Sequence, residues 1–187
     1  MALLYSSHSD LGASALPFSL PATNGRTYTL ESFRGMKGLL IVFMCNHCPY
    51  VVAVHSRLSA LAREFSEEGV ACLGISSNDP NHREADSFEN MIKISEQWQL
   101  PFPYAFDESQ EVAKAYDAVC TPDPYLYENV NGTFLLRYRG RIDDSWKDES
   151  QVSEQSLRIA LRKLVEGKTQ NKEQIPSMGC SIKWKKT

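Results

Sequence analysis

Residues 38–61 read GLLIVFMCNHCPYVVAVHSRLSAL, and the order of patterns within them decides the fold. Leu39-Leu40-Ile41-Val42-Phe43-Met44 is apolar without alternation, as a strand covered on both faces must be. Val51, Val54, Leu58, Leu61 and Phe65 then recur every three or four residues, which predicts a helix ending before Gly69. Between strand and helix stands Cys45-Asn46-His47-Cys48, followed by Pro49, a residue the first helical turn accepts because its N–H is unpaired anyway. The free N–H groups and dipole of a helix start favour a thiolate there. A free thiol titrates near ~8.5, and such a position lowers it to ~3.5–7.5. His47, between the two cysteines, adds a potential positive charge.

Outward from this segment the pattern continues. Phe18-Ser19-Leu20 and Thr27-Tyr28-Thr29-Leu30 flank Asn24-Gly25, a hairpin signal. Val70–Ile75 predicts a second buried strand. Ala85, Phe88, Ile92 and Ser95 predict a second helix ending near Leu100-Pro101, and Val112, Ala113 and Tyr116 a short third one. Tyr125-Leu126-Tyr127 and Phe134–Arg139 flank Asn131-Gly132 as an antiparallel hairpin, and Leu157, Ala160, Leu161, Leu164 and Val165 form a last helix before Gly167. A parallel β-α-β crossover joined to a closing hairpin gives an α/β fold: a central mixed β-sheet with helices on both faces and an N-terminal β-hairpin. Residues 1–167 are expected to form a single domain, with the tail 168–187 packing on or near it.

A chain of 187 residues can bury a core without staples, and a net charge of −3 argues against nucleic-acid or polybasic membrane partners. No apolar run reaches the ~18–20 residues of a membrane span. The first residues lack the basic and apolar regions of a signal peptide. The default compartment is cytoplasmic, with an exported form left open. Neither standard glycine-rich phosphate loop occurs, and no cofactor is expected.

Five cysteines (Cys45, Cys48, Cys72, Cys120 and Cys180) are too few and too scattered for a disulfide scaffold. Structural zinc normally takes four ligands, and no second Cys pair is present; His55 follows on the helix, while His8 and His82 are remote. Covalent haem would need a His where Pro49 stands. Thiol–disulfide chemistry is therefore the reading of Cys45 and Cys48. Cys72 and Cys120 read as core filler, and Cys180 stays undecided between packing and a free thiol. Arg137, Arg139 and Arg141 alternate, which predicts a shared, solvated strand face.

The run Phe18–Gly35, the hydrophobic strand with its Cys motif, and Thr121-Pro122 before a strand together resemble the redoxin group. That group spans peroxiredoxin-like (alkyl hydroperoxide reductase/thiol-specific antioxidant) and thioredoxin-like proteins. Residues 46–51 and 138–144 resemble one subgroup with a CNHCPYV motif. The resemblance implies a thioredoxin-like fold and a cis Pro122, which leaves the Thr121 backbone free to pair with a bound peptide. It implies Cys45 as nucleophile and Cys48 as resolving thiol, with Asn46, His47, Pro49, Thr121 and Pro122 in support. Cys120 becomes a candidate extra thiol, and Arg141 a candidate electrostatic helper, as an arginine is in peroxiredoxins. The chain departs from thioredoxin at Met44, in lacking an acid between Gly38 and Cys45, and in its Asn46-His47 dipeptide, which resembles the more oxidising isomerase type.

Three functions follow from these residues. The leading one is a thiol–disulfide oxidoreductase acting on protein or small-molecule disulfides with a thiol electron donor. The second is a thiol peroxidase with Cys48 as the peroxidatic residue, since Cys48-Pro49 matches that site and Cys45 takes the place of its Thr. The third is a copper-binding module of thioredoxin fold, for which the cysteine spacing is wrong.

Overall fold

The computed structural model describes residues 3–7 and 10–186, so His8 lies outside the described residues. In chain order the elements are β1 (Leu3–Tyr5), β2 (Ser19–Pro21), β3 (Thr27–Thr29), β4 (Gly38–Phe43), α1 (Pro49–Ser66), β5 (Val70–Ser76) and α2 (Phe88–Gln97). They continue with β6 (Tyr104–Phe106), α3 (Glu111–Ala115), β7 (Cys120–Thr121), β8 (Asp123–Val130), β9 (Thr133–Arg139), α4 (Ser156–Val165) and β10 (Met178–Ser181).

A sheet in the order β6-β5-β4-β8-β9 forms the centre. β4, β5 and β6 run parallel, and β8 and β9 run antiparallel to their neighbours. β4 is therefore internal and wholly buried, as its unalternated apolar run requires. Leu40, Val42 and Met44 pack with α1, α2 and α4, while Leu39, Ile41 and Phe43 pack with the β2–β3 hairpin and α3. α1 buries Val51, Val54, Leu58, Leu61 and Phe65 against the first of these faces. At about 1.5–3 kcal/mol per fully buried side chain, this seam fixes where the N-terminus of α1 sits, and with it the cysteine pair.

The structure differs from the sequence pattern in four places. The second helix begins at Phe88, capped by the Ser87 hydroxyl, while Ala85 belongs to a separate turn of 3₁₀ helix, Glu84–Asp86. A third parallel strand, β6, follows Pro103 and pairs with β5. Tail residues 178–181 form β10, which pairs antiparallel with both β1 and β7.

The fourth difference is the arginine face. A register shift at Leu126/Tyr127 puts Leu136 on one side of the sheet and Tyr138 on the other, so β9 changes phase between them. Arg137 stays half-exposed and pairs with Glu128 at 2.7 Å. Arg139 is instead 4% exposed, bonds Asp123 at 2.9 Å and lies 4.4 Å over the Tyr125 ring. Arg141 falls beyond the strand and donates to Ser156 and Glu154.

Candidate active site

Cys48 is the N-cap of α1 and Pro49 its first residue, so the sulfur faces the unpaired end of an 18-residue helix. Both sulfurs are buried, Cys45 at 1% and Cys48 at 0% exposure. They hydrogen-bond to each other, and the loop at Thr121-Pro122, whose peptide bond is cis, closes over both. The Cys45 sulfur lies 3.4 Å from Thr121 Oγ1, and the Cys48 sulfur 3.2 Å from the Thr121 carbonyl.

The two thiols are not equivalent. Cys48 is lowered to about 5 by the hydrogen bond from Cys45, helped by the Cys180 thiol and by the backbone N–H groups of Val51 and Cys180. Burial opposes this, as does the Thr121 carbonyl, which accepts the thiol proton when Cys48 is neutral. Cys45 is pushed up, first by its hydrogen bond to Cys48, then by burial and by the charge of Asp86. The hydrogen bonds around the pair thus favour a thiolate at Cys48 and disfavour one at Cys45, the residue the family resemblance casts as nucleophile.

Asp86 is the site residue that sequence reading missed. The segment before Cys45 holds no acid, yet this carboxylate, 0% exposed, reaches the motif from the turn after β5. It accepts the Asn46 N–H at 2.9 Å and the Asn78 amide at 2.8 Å, and its Oδ2 lies 2.6 Å from His47 Nδ1. Asn46 also donates to the Ala85 carbonyl and accepts the Tyr104 hydroxyl at 3.0 Å. These bonds hold the Asn46-His47 dipeptide in place. Nothing in the local sequence around Asp86 marks it, because its side-chain partners come from two other segments, Asn46-His47 and Asn78.

Cys45, His47 and Asp86 bring potential metal-ligating atoms within 4.8 Å of one another. The Asp86 oxygens are already engaged by the Asn46 N–H and the Asn78 amide, and His47 Nδ1 stands against the carboxylate as an ion-pair contact.

The Thr121 backbone is not free for a bound peptide: Cys180 of β10 is its antiparallel partner. Gly179 allows that approach, since a Cβ there would lie 1.9 Å from the Thr121 carbonyl oxygen. Cys180 thus joins the site, with its thiol and N–H on Cys48. Cys120, on β7, is buried and pushed up to about 12, chiefly by that burial. Arg141 spends its hydrogen bonds on Ser156 and Glu154, and lines a groove beside Pro122 with Tyr5, Tyr50, Trp146 and Met178.

A family model described as AhpC/TSA family matches residues 11–145. A conserved, uncharacterised protein of Geobacillus kaustophilus has a solved structure with TM-score 0.93 at 42% identity, covering 100% of this chain and 98% of its own. A hypothetical protein of Sinorhizobium meliloti 1021 gives TM-score 0.91 at 35% identity, over 98% and 99% of the two chains. Among curated proteins, the thiol-disulfide oxidoreductase ResA of Bacillus thuringiensis subsp. konkukian is 24% identical over 131 residues, 70% of either chain.

Proposed function

The chain belongs to the AhpC/TSA family, and on that premise we propose that Cys45 and Cys48 form its reversible dithiol/disulfide pair, with Cys48 as the attacking sulfur. It is a thioredoxin-fold oxidoreductase whose substrates are disulfides or peroxides and whose reductant is a thiol. The observation that supports the roles of the two cysteines is the place of Cys48 at the N-cap of α1, beside the Cys45 and Cys180 thiols that lower it.

In disulfide exchange, the Cys48 thiolate attacks one sulfur of R–S–S–R′ and R′S⁻ leaves. The Cys45 thiol gives its proton to that leaving group. The Cys45 thiolate so formed attacks the Cys48 sulfur, RS⁻ departs, and the Cys45–Cys48 disulfide remains. A thiol donor returns the pair to its reduced state. His47 and Asn46, fixed by Asp86, keep the two sulfurs in register, Pro49 starts the helix, and Thr121 and Pro122 roof the site. Cys120 serves as packing, and Arg141 shapes the groove beside Pro122.

The same thiolate supports the second reading, a thiol peroxidase. Cys48-Pro49 at a helix start, with the sulfur lowered to about 5, suits attack on a peroxide. There Cys48–S⁻ takes the terminal OH of ROOH, RO⁻ leaves and is protonated by solvent, and the Cys45 thiol condenses with Cys48–SOH to release water. Copper binding has no comparable support. An antioxidant role and a cytoplasmic setting fit this chemistry, and no helix among the described residues is long and apolar enough to cross a membrane.

Insulin-disulfide reduction and peroxide consumption, measured on Cys45→Ser and Cys48→Ser, test the proposal. Cys48→Ser should abolish both activities. Cys45→Ser should cut catalytic turnover of disulfides, because the mixed disulfide on Cys48 loses the resolving thiol of its own loop. Full insulin reduction by Cys48→Ser would overturn the assignment of the attacking sulfur.

A further inference from the structure

We propose that Cys180 is a third redox-active thiol, which forms a disulfide with Cys48 when that sulfur is oxidised. This rests on the reading of Cys48 as the reactive sulfur and goes beyond the Cys45–Cys48 pair.

The tail brings Cys180 to the site and holds it there. β10 pairs Cys180 with Thr121 on one side and with Leu3 on the other. Just before it, Ser177 donates to Asp123 at 2.8 Å and accepts a hydrogen bond from Ser6 through its carbonyl. Just after it, Ile182 N–H donates to the Val119 carbonyl, and Lys183 N–H donates to Asn78 Oδ1 at 2.8 Å. Asn78 in turn holds Asp86, so the tail is tied to the same network that orders the Cys45–Cys48 loop. Within this frame the Cys180 side chain and backbone N–H both reach Cys48, and the residue is 3% exposed. Cys48 therefore has a thiol neighbour on its own loop, Cys45, and another on the tail.

The chemistry is balanced with the oxidant already named. The Cys48 thiolate attacks one oxygen of hydrogen peroxide, the O–O bond breaks, hydroxide leaves, and Cys48–SOH remains. Cys180–SH then condenses with it, an S–S bond forms, the S–O bond breaks, and water leaves. In the mixed disulfide Cys48–S–S–R, the Cys180 sulfur attacks Cys48 and RS⁻ departs with the proton. In the reduced protein Cys180 is pushed up to about 12 by burial and by the neighbouring Cys48 sulfur. Oxidation of Cys48 removes that negative charge, so Cys180 becomes easier to ionise at the moment its partner turns electrophilic. The product would clamp β10 to the start of α1.

Tryptic digestion reads the result directly. Cys45 and Cys48 share the peptide 38–57, Cys180 lies in 173–183, and Cys120 lies in 115–137. Cys45→Ser and the unmodified protein, each treated with limiting hydrogen peroxide and alkylated in acid, should yield peptide 38–57 linked to 173–183. The link should be the main oxidised species in Cys45→Ser and a minor one in the unmodified protein. In Cys45→Ser/Cys180→Ser the link should vanish, and Cys48 should be captured by dimedone as the sulfenic acid. Cys48 oxidised in both proteins without the link, or linked to 115–137 instead, would overturn the role of Cys180 while leaving the reading of Cys48 intact. Cys48 left unoxidised in both would overturn that reading and this inference with it.

Discussion

At Cys48 the ranking of the two sulfurs comes first from the neighbouring Cys45 thiol, and the Cys180 thiol and backbone N–H groups add to it. The N-cap position offers the Val51 N–H, the tail offers the Cys180 N–H, and Cys45 offers its thiol. Alkylation by iodoacetamide, resolved by site, should therefore show Cys48 reacting with a midpoint near pH 5, far below Cys45. Cys45→Ala removes the largest of the lowering contributions, so the Cys48 midpoint should move up. Asp86→Asn removes a negative charge that raises Cys45, so Cys45 should begin to react at lower pH. A Cys48 midpoint unmoved by Cys45→Ala would mean that the helix end alone sets it. This ranking was only partly legible beforehand: the peroxidase reading put the reactive sulfur at Cys48 on its Cys48-Pro49 match. The CxxC spacing and the helix start were legible, because both are local, but the sequence favoured Cys45 on resemblance and could not show which donors converge on which sulfur.

Between residues and the whole lie the strands that carry the loop at Pro122. Asp123, the first residue of β8, accepts from Arg139 on β9 and from Ser177 ahead of β10, so one buried carboxylate joins three segments. Arg139→Ala would strand that carboxylate, an effect of about 3–5 kcal/mol, or roughly 6–20 °C in Tm for a chain this size. Burial already pushes the Asp123 carboxyl up, and Arg139 opposes that push. In Arg139→Ala the folded-state pKa rises further above the unfolded one. Stability is then fullest at low pH and is lost as pH rises through the folded value, so acidification should recover part of the loss. A variant equally unstable at pH 5 and pH 7 would show that Asp123 does not carry the defect. At β10, Gly179→Ala places a Cβ against the Thr121 carbonyl, and the strand must move away. Trypsin should then cut faster at Lys172 and Lys183, and Cys48 should label faster; unchanged rates would show that the tail does not cover the site. Of these elements, β4, α1, β5 and the β8–β9 hairpin were readable because their patterns span six or more residues. β6 and β10 were not: Tyr104-Ala105-Phe106 sits behind two prolines, and Met178-Gly179-Cys180-Ser181 is too short for its period to register. The alternating arginines misled because a single bulge inverts the phase of β9, and a bulge leaves no mark in the pattern it interrupts.

For the molecule as a whole, the site couples the fold's stability to its redox state. A thiolate stabilised only in the folded, reduced protein adds stability to that form, and the disulfide form has no such group. Cys48 is lowered from 9.0 to about 5, so its contribution is fully present above the unfolded value and is lost as pH falls through the folded one. Cys45 is raised above 9.0, so its opposing contribution enters only above about pH 9, outside the window from 5 to 8. Within that window the difference in Tm between reduced and oxidised protein tracks Cys48 alone. The reduced form should gain on the oxidised form steadily from pH 5 to pH 8, and Cys48→Ser, which cannot form the thiolate or the pair, should show no redox dependence across it. Paired thermal melts in dithiothreitol and after oxidation, taken at several pH values, measure this directly. At a given pH, stabilising the reduced form also makes the disulfide the stronger oxidant, so a variant that loses the Tm difference should have a more negative reduction potential at that pH. A Tm difference that stays flat with pH would place the Cys48 charge outside the energetics that hold β4, α1 and the tail in register.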